Sequence, residues 1–166
     1  DCLDTIWQQP WGENKKIRNN YNELKIRLKE KTPEAREIIL VFRAFDDGVA
    51  FRYEFPQQPN LLDFTIMDEN TEFRINGNPQ VWWIDADFDS YEKLYHNTPL
   101  ADAQWVATPV TMKMNEHCYI SLHEAALTNY ADMTLKQHDE SAFKAELAPW
   151  TNGDKVRLMD FIEAIE

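Results

Sequence analysis

The chain has 166 residues, a net charge of −12, and 43% hydrophobic and 13% aromatic content. That apolar share supplies the core of one domain, while the acidic balance argues against nucleic-acid backbones and anionic membranes as partners. The chain carries no apolar run of about 18 residues for a membrane-spanning helix, and no basic and apolar leader segment stands at its start.

Taken in chain order, Cys2 sits at an end expected to fray and Cys118 in an apolar run, so both read as free thiols. Leu24, Ile26 and Leu28 alternate with Lys25, Arg27 and Lys29, the period of a half-buried strand. The next stretch, Ile38 to Pro56, holds two β-rich runs around Asp47-Gly48, a pair that favours a type I′ hairpin turn because both residues there take positive φ. A two-residue loop sets Ala44 opposite Phe51, Phe42 opposite Tyr53 and Leu40 opposite Phe55. This predicts one apolar face with Phe42, Phe51 and Tyr53 buried. The same register sets Arg43 opposite Arg52, which calls for neutralising carboxylates, with Glu54, Glu69 and Glu72 nearest in sequence, unless both arginines are simply solvated.

Further along, Phe64 to Met67, Thr71 to Ile75 and Val81 to Ile84 read as short strands, with Asn76-Gly77-Asn78-Pro79 a turn between the last two. Ser90 to His96 carries helical periodicity. Val106 to Met114 and His117 to Leu122 read as strands around Asn115-Glu116, and Met133 to Gln137 and Phe143 to Leu147 as strands around a polar loop. A second helix is expected over Asp160 to Glu166, where Phe161, Ile162 and Ile165 share a face. Only four glycines occur, and there is no repeat and no flexible linker. The sum is an all-β, antiparallel β-sandwich with short helices.

Catalytic chemistry is not marked. With 29 acidic residues, neighbouring carboxylates such as Asp68/Glu69, Asp85/Asp87 and Glu72/Glu92 arise by chance, and no spacing singles out a pair. There is no Ser-His-Asp or Cys-His motif, no phosphate-cradling glycine loop, and no zinc spacing among the four histidines. Trp82-Trp83 place one ring on each side of a strand, so one enters the core and the other faces outward. Trp7, Trp11, Trp105 and Trp150 are candidates for a stacking platform, or else for core and interface. Glu124 stands apart, since it follows the strand ending at Leu122, where a side chain projects beyond the sandwich; the alternative is that it caps the following turn with His123 packed beneath it.

Several runs together resemble a known family. These are Pro10-Trp11-Gly12-Glu13-Asn14-Lys15-Lys16-Ile17-Arg18-Asn19-Asn20-Tyr21-Asn22-Glu23-Leu24, the hairpin Phe42 to Tyr53, Thr71-Glu72-Phe73, Tyr91-Glu92, and His123-Glu124-Ala125-Ala126-Leu127-Thr128-Asn129-Tyr130. From about Trp7 to Trp150 the chain resembles the N-terminal domain of glycoside hydrolase family 97, the α-glucosidases and α-galactosidases of Bacteroides-type glycan utilisation systems. The resemblance implies a galactose-mutarotase-like β-super-sandwich that precedes a catalytic (β/α)₈ barrel. It divides this sequence into a partial N-terminal sandwich over 1–157 and a tail over 158–166 that departs from the family pattern, with the barrel absent.

The implied role is a non-catalytic one: the sandwich buttresses the barrel and lends the Glu124 carboxylate to a calcium ion in the barrel's site. On this reading the chain contributes no catalytic residue, its substrate-binding residues are unassigned, and alone it neither turns over glycosides nor holds calcium. The expected partners are the catalytic barrel, an oligosaccharide in that context, and a second copy of the chain in a homodimer; no nucleic acid and no membrane is expected. A periplasmic or exported location follows from the resemblance. The alternative is a free-standing carbohydrate-binding or interaction module. Glucoside against galactoside, and retention against inversion, stay open.

Overall fold

The computed structural model describes residues 1–128 and 130–149. They fall into two compact units, one spanning Asp1–Phe64 and one beginning at Thr65.

The first unit is an antiparallel meander of β1 (Cys2–Gln8), β2 (Lys16–Lys29), β3 (Glu37–Ala44) and β4 (Val49–Glu54), hydrogen-bonded in that order. Its first strand is not a frayed end: Leu3 pairs with Tyr21 and Trp7 with Ile17, and Arg18 clasps Asp4 across the ladder with two bonds of 2.9 and 2.8 Å. The alternation at Leu24 to Leu28 marks only the last part of β2, whose earlier half is polar and is held by its neighbours rather than by its own pattern.

The hairpin lies where the sequence places it, but its register and turn differ from the expectation. Ala44 pairs with Val49, Phe42 with Phe51 and Leu40 with Tyr53, two residues from the predicted alignment. The connection is the four-residue segment Phe45 to Gly48, closed by a 2.8 Å bond from the Phe45 N–H to the Gly48 carbonyl. Among the described residues positive φ occurs only at Gly12, Ala35 and Gly77, so Asp47-Gly48 is not a type I′ turn. Two physical gains accompany the shift. Phe42 meets Phe51 at 6.0 Å between ring centroids while Phe45 leaves the ladder to lie 5.3 Å from Tyr21, and Arg43 now faces Ala50 while Arg52 faces Val41. No arginine opposes another.

Both arginines are paired, but with different carboxylates from most of those expected. Glu23 lies directly across from Arg43 on β2 and accepts from its Nε at 2.8 Å, and the guanidinium sits 4.4 Å above the Tyr21 ring. Arg52 takes Glu54 at 2.5 Å. Glu72 instead meets His138 at 3.3 Å. Burial is corrected too: Val41, on the opposite face from Phe42, is the buried hairpin residue at 1% exposure, whereas Phe51 is 38% exposed and Phe42 and Tyr53 are half-buried. Among the described residues this unit is one four-stranded sheet.

The second unit is the sandwich. One sheet is built from β6 (Gln80–Trp83), β7 (His96–Pro99), β9 (Val110–Asn115) and β10 (Cys118–Leu122) in the order β10-β9-β6-β7. The other combines β5 (Glu72–Arg74), β8 (Trp105–Ala107), β11 (Met133–Asp139) and β12 (Ala142–Leu147) in the order β5-β12-β11-β8. Val81, Trp83, Val110 and Met112 from the first sheet meet Val106, Leu135, Phe143 and Ala145 from the second in one buried cluster. Each large side chain there contributes about 1.5–3 kcal/mol by leaving water. A 3₁₀ turn over Leu100–Asp102 adds Leu100 to this cluster.

Three further expectations are revised. Ser90 to His96 forms no helix. Asp87 accepts the Asp89 N–H at 3.0 Å and Ser90 the Glu92 N–H at 3.3 Å, local bonds that compete with a helical ladder. His96 instead opens β7, its ring 4.4 Å from that of Trp83. Phe64 to Met67 forms no strand. The run Val106 to Met114 is split into β8 and β9 around a cis Thr108-Pro109 bond, because proline offers no N–H to a ladder. The helix expected over Asp160 to Glu166 lies outside the described residues. The Asn76 to Pro79 turn holds, with Gly77 at φ 84°, and Cys2 and Cys118 are both free and exposed.

Candidate functional site

Strand β10 ends at Leu122 and delivers His123 and Glu124 into a loop that returns to β11 at Met133. The His123 ring is exposed and lies 3.1 Å from the adjacent Glu124 carbonyl. Glu124 is half-buried, and its Oε2 accepts the backbone N–H of Met133 at 3.1 Å. That bond ties the segment leaving β10 to the start of β11. Thr108, Pro109, His123, Glu124 and Leu127 line an open depression of about 480 Å³ around it.

The surroundings of this carboxylate are acidic. Burial, and then the neighbouring Asp132 and Glu69, push the Glu124 carboxyl up to about 7, while the Met133 N–H opposes the rise. Glu69 is itself held in place, accepting from the Thr71 hydroxyl at 2.7 Å and from the Tyr130 hydroxyl at 3.0 Å, so it serves this site and neither hairpin arginine. Tyr91 reaches in from a third segment, donating to the Thr108 carbonyl at 3.4 Å. Burial raises its phenol, and the charges of Asp132 and Glu124 add to the rise.

The arrangement concentrates negative charge where solvation is reduced, which a cation relieves. Its donors are hard oxygens of the kind calcium takes. Among the described residues no three His, Cys, Asp or Glu side chains converge to hold a metal ion. What this unit presents is one half-buried carboxylate at the edge of a depression, with acidic neighbours. The sequence singles out Glu124 but not Asp132, and it points Glu69 toward the hairpin arginines instead. Tyr91-Glu92 belongs to a recognisable motif, yet no local signal says that its ring approaches Glu124.

The carboxylate pairs weighed from sequence do not assemble into a second site. Asp85 holds His96 at 3.1 Å, Asp87 holds Lys93 at 3.0 Å, and Asp68 holds Lys144 at 2.6 Å. Of the tryptophans, Trp83 is in the core and Trp82 on the outer face of the same strand, as the alternation requires. Trp105 packs edge-on against Phe88 and donates to Thr134 at 2.9 Å. Trp7 and Trp11 are 49% and 86% exposed, and Trp150 lies outside the described residues.

Comparison with known proteins bears on this geometry. The family description Glycosyl-hydrolase 97 N-terminal matches residues 2–158. The chain belongs to glycoside hydrolase family 97. Among solved structures, a family 97 enzyme from Pseudoalteromonas sp. strain K8 in complex with acarbose is 41% identical, with a TM-score of 0.88 over 95% of this chain and 24% of that one. A variant of that enzyme in complex with panose matches with the same figures. A β-arabinopyranosidase at 22% identity and a TM-score of 0.80 shares the fold. This chain spans about a quarter of the length of the Pseudoalteromonas family 97 enzyme. It corresponds to the N-terminal domain, one part of a glycoside hydrolase, and the all-β sandwich of its second unit is the family 97 architecture.

Proposed function

We propose that this family 97 domain is the non-catalytic sandwich of an exported α-glucosidase or α-galactosidase, supporting a catalytic barrel and lending it the Glu124 carboxylate as a calcium ligand. The observation that carries the reading is the placement of Glu124. It stands at a strand end beside an open depression, with its carboxyl raised to about 7 by burial and by acidic neighbours, a placement in which a nearby cation would favour the charged form. Bound calcium would supply positive charge and oxygen coordination to a sugar site. This chain's residues do the positioning: the Met133 N–H holds one oxygen of Glu124, the Asp132 carboxyl is a hydrogen-bonded neighbour, and the charges of Asp132 and Glu69 deepen the local field.

The relatives in complex with acarbose and panose support an oligosaccharide as the substrate of the whole enzyme. The chain alone is expected to be inactive. Glycoside hydrolysis uses two carboxylates about 5–10 Å apart across a sugar pocket, whereas Asp68, Asp85 and Asp87 are each taken up by a basic side chain. The test is calcium affinity and turnover of nitrophenyl α-glucoside and α-galactoside in the full-length protein. Glu124→Gln is expected to lower both together with the fold intact. Unchanged calcium affinity in that variant overturns the reading.

A further inference from the structure

The outer face of the β10-β9-β6-β7 sheet carries an arrangement that the Glu124 site does not use. Because side chains alternate along a strand, Val81 and Trp83 enter the core while Gln80 and Trp82 point outward from β6. On β9, Val110 and Met112 enter it while Thr111 and Lys113 point outward. Trp82 lies across from Asn97 on β7 and Thr111 on β9, and Thr111 lies across from Ser121 on β10. Tyr119, two residues along β10 from Ser121, lies across from Lys113, whose ammonium is taken by Glu116 at 2.8 Å.

Trp82 and Tyr119 thus stand on strands separated by β9, yet their rings lean across it to 6.2 Å between centroids, with planes 35° apart. Tyr119 is 56% exposed. Their polar ends are unused. Trp83 donates its indole N–H to Thr98 at 3.0 Å and Trp105 donates to Thr134 at 2.9 Å, whereas neither the Trp82 indole nor the Tyr119 hydroxyl has a hydrogen-bond partner among the described residues. Around the two rings stand uncharged groups already oriented by one another: Gln80 donates to Asn97 at 2.5 Å, and Thr111 and Ser121 share a 3.2 Å bond.

We infer that this face is a binding platform for a pyranose-containing chain, separate from the Glu124 depression. A pyranose ring offers one face of C–H groups to an aromatic surface and a rim of hydroxyls to amides and alcohols, which is the pattern laid out here: two adjacent rings with free donors, bordered by two amides and two hydroxyls. The one cation on this stretch, Lys113, is neutralised by Glu116, which suits a neutral ligand rather than an ionic one. The 35° angle between the rings matches sugars that rotate from one unit to the next, as in an α-1,4-linked glucan, rather than the flat ribbon of a β-1,4-linked one.

Calorimetric titration of the full chain with maltoheptaose, and with cellohexaose for comparison, tests the inference. Maltoheptaose is expected to bind, cellohexaose to bind more weakly, and Trp82→Ala and Tyr119→Ala each to weaken maltoheptaose binding about tenfold or more. Tyr119→Phe keeps the ring and is expected to retain most of the affinity. Tyr119 is exposed on an edge strand, so its alanine variant decides the question even if Trp82→Ala fails to fold. Glu124→Gln is expected to leave this binding unchanged, which separates the platform from the calcium proposal. No heat with the unmodified chain, equal affinity in Tyr119→Ala, equal affinity for cellohexaose, or loss of binding in Glu124→Gln would each overturn it.

Discussion

Glu124 Oε2 accepts the backbone N–H of Met133 at 3.1 Å across nine residues of sequence, so the loop leaving β10 is pinned to the first residue of β11 by the carboxylate that also faces the depression. The same side chain thus fixes the loop and supplies the charge, and the two roles separate on substitution by glutamine, which keeps an acceptor and removes the charge.

The first prediction follows from that separation. Glu124 has its folded value raised from 4.5 to about 7, so the folded state holds a proton that the unfolded chain has released. Stability therefore falls as pH rises from 4.5 through 7. Without added calcium, Glu124→Gln should be the more stable protein at about pH 8, by on the order of 1 kcal/mol after allowing for partial solvation. Below pH 4.5 the two should converge. Thermal unfolding across this range checks it, and a variant destabilised at the alkaline end would count against the raised value.

Asp139 behaves with the opposite sign. Arg74 beside it, together with the Ser141 N–H and hydroxyl, holds its carboxyl well below the ordinary 3.8. Its contribution is present above that pH and is lost as pH falls through the lowered folded value. Asp139→Asn should therefore unfold at a lower temperature than the native chain at neutral pH, with the difference closing progressively below pH 3.8. Melting curves on either side of that value are the measurement.

Core and surface should divide sharply within the second unit. Phe143 is fully buried between the two sheets while Leu94 is 90% exposed. Phe143→Ala should cost about 3–5 kcal/mol through lost burial and an unfilled cavity. Leu94→Ala should change stability by about 0.5 kcal/mol or less. Urea titration monitored by circular dichroism distinguishes the two.

Glycine dependence is expected at Gly77 and not at Gly48. Neither glycine has an atom within 4 Å of where a Cβ would sit, so space decides nothing, but Gly77 has φ +84° and Gly48 lies outside the positive region. Gly77→Val should cost about 1–3 kcal/mol in backbone strain, and Gly48→Val about 0.5 kcal/mol or less. Equal losses at the two positions would mean that the hairpin turn does adopt positive φ in solution.

The alternation of side chains is enough to say from sequence alone which residues share a face. In the hairpin it does not say which face is buried, since Val41 rather than Phe42 or Phe51 is buried there. It sets Trp82 and Trp83 on opposite sides of their strand and marks out the hairpin and its turn region, because a period of two follows from strand geometry and needs no partner. The same period conceals the register. A slip of two residues leaves every side chain on its face, so the choice between Phe42 opposite Tyr53 and Phe42 opposite Phe51 falls to contacts the hairpin does not contain, above all Tyr21 and Glu23 on β2. Local pattern also misleads at Ser90 to His96, where helical spacing loses to the Asp87 and Ser90 side-chain bonds and to the stacking of His96 on Trp83. The place of Glu124 just after a strand is legible in the sequence. Its chemistry is not, since the raised carboxyl depends on Asp132 and Glu69, which only the packing of distant segments brings within range. The lean of Trp82 and Tyr119 across β9 is decided in the same way, by a strand order that places β6 and β10 on either side of a strand lying between them in the sheet.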